Sequence, residues 1–308
     1  MYSTSPNKLA AIGDEDPGKE EVIIVNKPGV KELTVVTTSD NQHDPPRIDA
    51  ALASTPVLSA LYTRIEDLML AFNEAAPFLQ LSSLYHLKVA RLAPMDAGDE
   101  LGASITHRQQ NCRKPPAFAA HFDTQPGTGR TLSLCLWLNE HWTEEHGGHL
   151  RVFPAPLAHV DVEPVSDRVA IFCSHHMLHR VRPLQYVQGK VAPRYCVSMM
   201  FRGSPVPFPS TLPTMLADKL REIDSDVLAM LQLARRQQRD LVMLVFREES
   251  VNSMREAFDH GDTEDERKKL ERAVKHFENR LQAARHKVSP AILQLIDDFL
   301  PLNPADFD

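Results

Sequence analysis

The pattern of apolar and polar positions changes along the chain, and its middle part has the character of short β-strands. Between residues 85 and 203, apolar and β-branched runs are separated by Gly, Pro, Asp and Asn, and these runs are HLKVARL, TLSLCLWL, GHLRVF, DRVAIF and RYCVSMMF. Runs of this length and composition predict strands. Because no helical period separates them, they favour an antiparallel sandwich or jelly roll over a doubly wound parallel sheet.

Two strands and a helix are predicted before this core, and helices are predicted after it. On the N-terminal side, EVIIV and ELTVV predict two short strands, and a helix is predicted within residues 55–84 from the helical spacing of Leu58, Leu61, Ile65, Leu68 and Leu70. On the C-terminal side, the capping-box sequence TEDE at 263–266 begins one helix, and the Ser-Pro at 289–290 begins another. The predicted fold class is therefore α+β: a jelly-roll core with a supporting N-terminal helix and a C-terminal helical extension.

These changes in pattern divide the chain into four segments. Residues 1–20 are polar and are expected to be disordered. Residues 21–84 hold the N-terminal strands and the supporting helix, 85–203 form the jelly roll, and 204–308 are helical. The long polar segment 95–118 is expected to be a surface loop, with a lid as the functional alternative. The C-terminal helices are expected to pack on each other or on the barrel, with a homodimer interface or a substrate-docking platform as alternatives.

Composition and charge narrow the classes of partner. The net charge of −7 and the pI near 6.1 disfavour a nucleic-acid-binding protein, because phosphate binding needs clustered Lys and Arg. The cysteines show no CxxC pairing and mostly lie in apolar runs, which indicates a reducing compartment, so a cytoplasmic or nuclear protein is expected. No apolar run reaches membrane-spanning length, and no membrane partner is expected.

Candidate chemistry begins with three His-x-Asp triplets, which are His121-Phe122-Asp123, His159-Val160-Asp161 and His260-Gly261-Asp262. About one such triplet is expected by chance in a chain of this composition, so their surroundings must decide. The His260 triplet lies between two predicted helices, where Gly and Asp suit helix caps. The His159 triplet lies in a polar alternating stretch typical of an exposed edge strand. Both have ordinary structural explanations.

The His121 triplet differs because strand-like runs follow it at regular intervals. A His-x-Asp in a turn and a later His on a returning strand can converge in a jelly roll, and the later candidates are His175, His176 and His179. Two imidazoles and one carboxylate on one face of a metal leave adjacent positions open, which suits non-heme Fe(II). The histidines His141, His146 and His149 are expected at the surface.

The last strand-like run adds a cation. Alternation places Arg194, Cys196 and Ser198 on one face. A cation that faces an apolar interior is costly unless an anion meets it, and a dicarboxylate that accepts forked hydrogen bonds from Arg194 would remove that cost. Lys190 is a second candidate for this basic residue. Phe122 is expected to line the same cavity, although ordinary core packing is equally compatible with it.

Taken together, these elements resemble a known family. HFD, LWLNEHW, GGHLRVFP, DRVAIF, HRVRP and RYCVSMMF follow one another as in the 2-oxoglutarate- and Fe(II)-dependent oxygenases, and within these the prolyl 4-hydroxylase branch. The likeness extends to the hydroxylases that modify hypoxia-inducible factor, and it covers roughly residues 86–203. The resemblance implies His121, Asp123 and His179 as iron ligands. It also implies Arg194 as the partner of the distal carboxylate of 2-oxoglutarate, with Ser198 beside it.

The sequence departs from the family pattern at three places. Trp137 and Leu92 fall where these hydroxylases commonly carry tyrosines that contact the co-substrate. The spacing from His179 to Arg194 is longer than usual, through the insertion YVQGKVAP. The two missing phenols put the affinity for the co-substrate in doubt, but not the iron site.

The resemblance implies a dioxygenase that hydroxylates proline in an intracellular protein, so its partner would be a proline-containing protein or peptide. Its metal would be Fe(II), its co-substrates 2-oxoglutarate and O2, and ascorbate would be an accessory reductant. Two other functions stay open: an oxygenase of the same fold that acts on another side chain or a small molecule, and a catalytically silent jelly-roll scaffold. The complete His, Asp and Arg set favours an enzyme, whereas the missing tyrosines favour the scaffold.

Overall fold

The structure of the chain is a computed structural model. It describes residues 56–93, 116–124, 129–155, 157–188, 190–204, 238–258, 264–288, 290–299 and 301, together with the backbone of four N-terminal strands. Those strands are β1 (Asn7–Ala10), β2 (Val22–Val25), β3 (Val30–Thr37) and β4 (Arg47–Ile48). Most of the predicted loop 95–118 and the whole His260 triplet lie outside the described residues.

Two antiparallel sheets form the core, as the sequence pattern predicts. The major sheet has the order β10-β7-β14-β5-β3-β4; its edge strand β10 is Val169–Cys173, and its central strands include β5 (Ser83–Leu92), β7 (Arg130–Trp137) and β14 (Arg194–Arg202). The minor sheet has the order β6-β11-β8-β9, which are β6 (Phe118–His121), β8 (Leu150–Phe153), β9 (Val160–Val162) and β11 (Leu178–Val181). The strands β12 (Tyr186–Val187) and β13 (Lys190–Val191) form a hairpin within the YVQGKVAP insertion. The fold is thus α+β with a jelly-roll core.

The N-terminal helix is shorter than predicted. Helix α1 (Pro56–Ala75) ends before Pro77, which begins a single 3₁₀ turn and disfavours helical backbone at the residue before it. Residues 83–84, which were included in the predicted helix, already belong to β5.

The prediction of disorder over 1–20 also differs from the structure at β1, because the apolar run of β2 gives this segment a strand to pair with.

Helix α1 covers the outer face of the major sheet. Ile65 packs there with alternate residues of the central strands, which are Leu87, Leu134, Val197, Met199 and Phe201. Asn73 joins the helix to the start of the sheet, because its side chain donates to the carbonyl of Leu81 and accepts from the Leu81 N–H, both at 2.7 Å. The opposite face of β14, with Arg194, Cys196 and Ser198, is therefore turned towards the inside of the jelly roll, as alternation predicts.

The C-terminal helices cover the outer face of the minor sheet. They are α2 (Gln238–Val245), α3 (Arg247–Phe258), α4 (Glu264–Lys287) and α5 (Pro290–Phe299). Val242 and Phe246 pack on Phe153 and Leu178 in one buried cluster. Beside this cluster, Arg180 is only 5% exposed. It pairs with Glu249 at 3.1 Å and Glu256 at 2.9 Å, both on α3. The expected packing of these helices on the barrel is confirmed.

Two side chains lie elsewhere than the sequence predicts. His149 is not at the surface: it is 8% exposed, and its ring packs edge-on against Trp142 with the centroids 4.9 Å apart. The glycines at 147 and 148, just before β8, are themselves buried, so the chain enters this strand from inside the molecule, which periodicity does not reveal. Phe122 turns away from the interior of the jelly roll and packs among the C-terminal helices. It follows the last residue of β6, so strand alternation places it on the outer face, opposite to His121.

Candidate metal centre

The structure brings His121, Asp123 and His179 together. His121 is the last residue of β6, Asp123 lies in the turn that follows, and His179 is paired with His121 on the neighbouring strand β11. The possible ligand atoms of the three side chains all lie within 4.8 Å of one another. The Nε2 atoms of both histidines are 3.5 Å from Oδ1 of Asp123. Three side chains from two sequence-distant segments therefore converge on one point.

Backbone carbonyls orient both imidazoles. Nδ1 of His121 lies 2.8 Å from the carbonyl oxygen of Ala119, and Nδ1 of His179 lies 3.0 Å from that of Met177. A proton on Nδ1 that is donated to a carbonyl leaves the Nε2 lone pair free for a metal, and such bonds fix the ring orientation of ligating histidines. In each case the acceptor lies two residues before the histidine, so the strand itself provides this support.

The charges at this point favour a bound cation. Burial alone would raise the pKa of Asp123, but the charge of His179 and hydrogen bonds from both histidines hold it well below its usual range. Desolvation, followed by the charge of His179, lowers the pKa of His121. For His179, burial lowers the pKa, but the carboxylate of Asp123 outweighs burial and raises it. The geometry that favours a proton between His179 and Asp123 favours a metal cation there as well.

The donor set fits Fe(II). Two imidazole nitrogens and one carboxylate oxygen on one face are the ligands of non-heme iron sites that keep neighbouring positions open for other ligands. The His121 side chain is 42% exposed and that of His179 only 5%, so the centre opens on the His121 side. His175 and His176, the alternative candidates, lie in the turn before β11 and do not join the group of three among the described residues.

Arg194 and Trp137 are buried on the inner face of the major sheet with unused donors. Arg194 is 6% exposed and Trp137 is fully buried, and neither Nε of Arg194 nor Nε1 of Trp137 has a hydrogen-bond acceptor among the described residues. The guanidinium carbon of Arg194 lies 5.8 Å from the centroid of the Trp137 ring. Buried donors of this kind are normally satisfied, so this place fits an anionic group such as the far carboxylate of 2-oxoglutarate.

The remaining predicted residues lie around this arginine. Leu92 is directly opposite Arg194 in the pairing of β5 with β14. Ser198 follows on the same face as Arg194, and its Oγ lies 3.9 Å from Sγ of Cys196. Lys190, the alternative to Arg194, is exposed on β13.

Gly148 makes room for Arg194, which sequence analysis did not anticipate. Its φ is +72°, and a Cβ atom there would lie 2.7 Å from Cδ2 of Leu184 and 3.0 Å from Cδ of Arg194. A side chain at this position would thus be strained and would displace one of these neighbours. The GG pair of the GGHLRVF element was the only signal in the sequence.

Two residues of the C-terminal helices support the metal-binding turn, and they were also missed. Ser253 is 1% exposed, and its Oγ accepts the backbone N–H of Ala120 at 2.9 Å, directly before His121. Arg239 donates to the carbonyl of Thr124 at 2.9 Å, directly after Asp123. These contacts hold the turn on both sides. No sequence pattern links residues more than a hundred positions apart.

The comparison with known families agrees with this geometry. Residues 109–202 match the sequence profile of the 2OG-Fe(II) oxygenase superfamily. This segment is therefore similar to the oxygenase domains of that superfamily, whose description names Fe(II) and 2-oxoglutarate. In the part of the chain that the structure describes, no helix is long and apolar enough to cross a membrane.

Individual relatives are prolyl hydroxylases. Mouse and human prolyl hydroxylase EGLN3 are 35% and 34% identical to this chain over 86 residues, which are 27% of this chain. The chain spans about a third (34%) of the length of these relatives. A prolyl 4-hydroxylase structure from Phytophthora capsici is similar in fold, with a TM-score of 0.57 and 24% identity over 87% of this chain and 75% of that one.

Proposed function

We propose that this protein is an Fe(II)- and 2-oxoglutarate-dependent dioxygenase that acts as a peptidyl-prolyl 4-hydroxylase on an intracellular protein. One observation carries the proposal. A His-Asp-His group and a buried arginine with an unused donor lie inside one jelly roll. A scaffold needs neither feature, because burying an arginine without an anion costs stability. The named activity of the matching relatives supports proline as the target.

The chain's residues would share the work as follows. His121, Asp123 and His179 would hold Fe(II), and Arg194 with Ser198 would bind the distal carboxylate of 2-oxoglutarate. Bound iron would supply the oxidative chemistry: one oxygen atom of O2 goes to succinate as CO2 leaves, and the other becomes the hydroxyl group on the substrate carbon. The protein positions these groups and excludes water from the cavity.

Trp137 offers a substitute for a tyrosine at its position. Its indole Nε1–H is buried and has no acceptor among the described residues. An indole N–H donates one hydrogen bond, as a phenol O–H does, so it would also bind the distal carboxylate of 2-oxoglutarate. Leu92 offers no donor, so one of the two family contacts is absent. We therefore expect a weaker affinity for 2-oxoglutarate than two tyrosines would give.

The test measures succinate release from 2-oxoglutarate with Fe(II) and a proline-containing peptide library. Wild type should release succinate and add one oxygen atom to peptides, and Asp123→Ala should do neither. Trp137→Phe removes the N–H donor together with part of the buried ring, and it should raise the KM for 2-oxoglutarate without changing metal affinity. If wild type and Asp123→Ala release equal succinate, the chain is a scaffold. Succinate release without peptide oxidation would favour a different substrate on the same fold.

A further inference from the structure

A positive charge from the C-terminal helices lies against the metal-binding turn. Arg239, in the first turn of α2, donates from Nη1 to the carbonyl of Thr124 at 2.9 Å. Its guanidinium carbon lies 4.4 Å from the centroid of the Phe122 ring. Phe122 and Thr124 are the two neighbours of Asp123 in the chain. The guanidinium is therefore held against the two residues that flank Asp123.

A second arginine lies near the first. Arg280 on α4 contacts the Sδ atom of Met243 at 3.7 Å, and a thioether is only a weak acceptor. Burial, followed by the charge of Arg280, lowers the pKa of Arg239 to about 10, with Asp240 opposing. Burial also lowers the pKa of Arg280, again with Asp240 opposing. The two guanidinium groups are therefore close enough for the charge of Arg280 to lower the pKa of Arg239, and the carboxylate of Asp240 raises the pKa of both.

Neither arginine has an ion-pair partner among the described residues. The contrast with the arginines of the minor sheet is clear, since Arg151 and Arg180 each pair with carboxylates of α3. A guanidinium carries five N–H donors, and Arg239 uses one of its donors on a backbone oxygen. Both side chains are only partly buried, so their remaining donors are open to an anion that comes from outside the described residues.

The turn before β11 lies close to the same charge. Burial, then His176, then Arg239 lower the pKa of His175 to about 4. Arg239 is therefore near the turn that leads to His179 as well as the turn that carries Asp123. His175 is neutral near pH 7, so it adds hydrogen-bonding capacity to this region but no further charge.

We propose that Arg239 and Arg280 form an anion-binding subsite beside the metal centre, and that it binds an Asp or Glu side chain of the peptide substrate. The proposal rests on the peptidyl hydroxylase function and defines its substrate further. A carboxylate accepts two parallel hydrogen bonds from a guanidinium group. Because Arg239 contacts the turn between the ligands, the acidic residue would lie close in sequence to the target proline.

The first test uses an oriented peptide library with a fixed central proline and varied flanking residues. The full chain is incubated with Fe(II), 2-oxoglutarate and the library, and peptides that gain one oxygen atom are sequenced by mass spectrometry. Wild type should enrich Asp and Glu over Asn and Gln at one or more flanking positions. In Arg280→Gln this ratio should fall roughly tenfold, the effect of one charge-assisted hydrogen bond. Arg280→Lys, which keeps the charge, should lie between them.

Arg272→Gln is the matched control. Arg272 lies on the same helix and is exposed, and among the described residues its side chain donates only to the carbonyl of Lys268. It should keep the wild-type preference for acidic residues. An equal preference in wild type and Arg280→Gln, or no acidic preference in wild type, would overturn the proposal.

A second test does not depend on turnover. Phenylglyoxal modifies deprotonated arginine side chains, and peptide mapping would follow its reaction at Arg239 and Arg280 in the full chain. N-acetylglutamate N-methylamide should slow the reaction at both residues, and the corresponding glutamine derivative should not. Arg272 should react equally with either probe. If no peptide is hydroxylated but this protection is seen, the subsite stands and the proposed activity fails; without protection, the subsite itself is wrong.

Discussion

At the scale of single residues, Gly148 determines where the proposed co-substrate arginine can lie. We expect Gly148→Ala to raise the KM for 2-oxoglutarate roughly tenfold, because the new methyl group displaces Arg194 or Leu184 and a charge-assisted hydrogen bond is lost. The affinity for Co(II), measured by its visible absorption, should stay unchanged, because the His-Asp-His group belongs to other strands.

Gly129→Ala is the control for backbone strain. Gly129 has a similar φ of +68°, but it precedes β7 at the end opposite to Trp137. It should lower stability without a specific change in the KM for 2-oxoglutarate. A loss of Co(II) affinity in Gly148→Ala would instead show that the substitution disturbs the whole barrel.

The sequence could reveal those residues whose role follows from a local pattern, but not those whose role depends on contacts with distant segments of the chain. His121, Asp123 and Arg194 could be predicted because a triplet, a strand and an alternating face are local patterns. The positive φ of Gly148 and the hydrogen bond from Ser253 depend on contacts with segments far away in the chain. His149 was placed wrongly for the same reason, since its burial depends on Trp142 and not on its own neighbours.

At the scale of elements, helix α3 supports the strand that carries His121. We expect Ser253→Ala to weaken Co(II) binding roughly tenfold, which is the lower end of the loss seen when a residue that supports a metal ligand by hydrogen bonding is removed. The reason is that the N–H of Ala120 loses its acceptor, so the end of β6 that carries His121 is held less firmly. Co(II) titration followed by visible absorption checks this.

Ser250→Ala provides a matched comparison one turn earlier on α3. Ser250 is 2% exposed, and its Oγ has no hydrogen-bond partner among the described residues. Its removal should leave Co(II) affinity within about twofold of wild type, because little is lost when an unpaired hydroxyl is deleted. Equal weakening by both substitutions would mean that α3 packing matters and the Ser253 hydrogen bond does not.

The edge strand β9 contributes a pH-dependent part of the stability. Burial alone would raise the pKa of Asp161, but hydrogen bonds and charges from Arg151 and Arg182 lower it to about 2. Asp161 is bound at 2.7 Å and 2.8 Å by Arg151 and at 2.8 Å by Arg182. A depressed pKa stabilises the folded state above the unfolded pKa, about 4, and this contribution is lost as the pH falls towards 2.

We therefore expect Asp161→Asn to lower the free energy of unfolding by roughly 2 kcal/mol at pH 7, from about 1.4 kcal/mol per pKa unit. The difference from wild type should shrink as the pH falls from 4 towards 2. Urea denaturation at several pH values measures it. A difference that does not depend on pH would assign the loss to packing and not to the ion pairs.

The elements themselves followed largely from the sequence. Apolar runs bounded by turn residues gave the central strands, and Pro290 marked the start of the last helix. The end of α1 could not be read from periodicity, because apolar residues continue at helical intervals into the strand that follows. There the backbone restriction before Pro77 outweighs the pattern.

At the scale of the whole molecule, the division into a jelly roll and a separate helical region remains a prediction, and the packing argues for one folding unit. Phe246 of α2 packs on Phe153 of the minor sheet with ring centroids 4.8 Å apart. Phe122, between the candidate ligands, packs into the same helices. Since the helices and the metal-binding turn share buried contacts, neither should unfold without the other.

Cooperative unfolding tests this directly. The chain has two tryptophans, Trp137 and Trp142, both in or next to the jelly roll, whereas its far-UV signal at 222 nm is dominated by helices. We expect tryptophan fluorescence and circular dichroism to report one coincident urea transition. Phe246→Ala should shift both by the same amount, about 3 kcal/mol, because it leaves a cavity between helix and sheet. If the dichroism transition moves alone, the helices are a separate domain, and their arginines would be far less suited to act beside the metal.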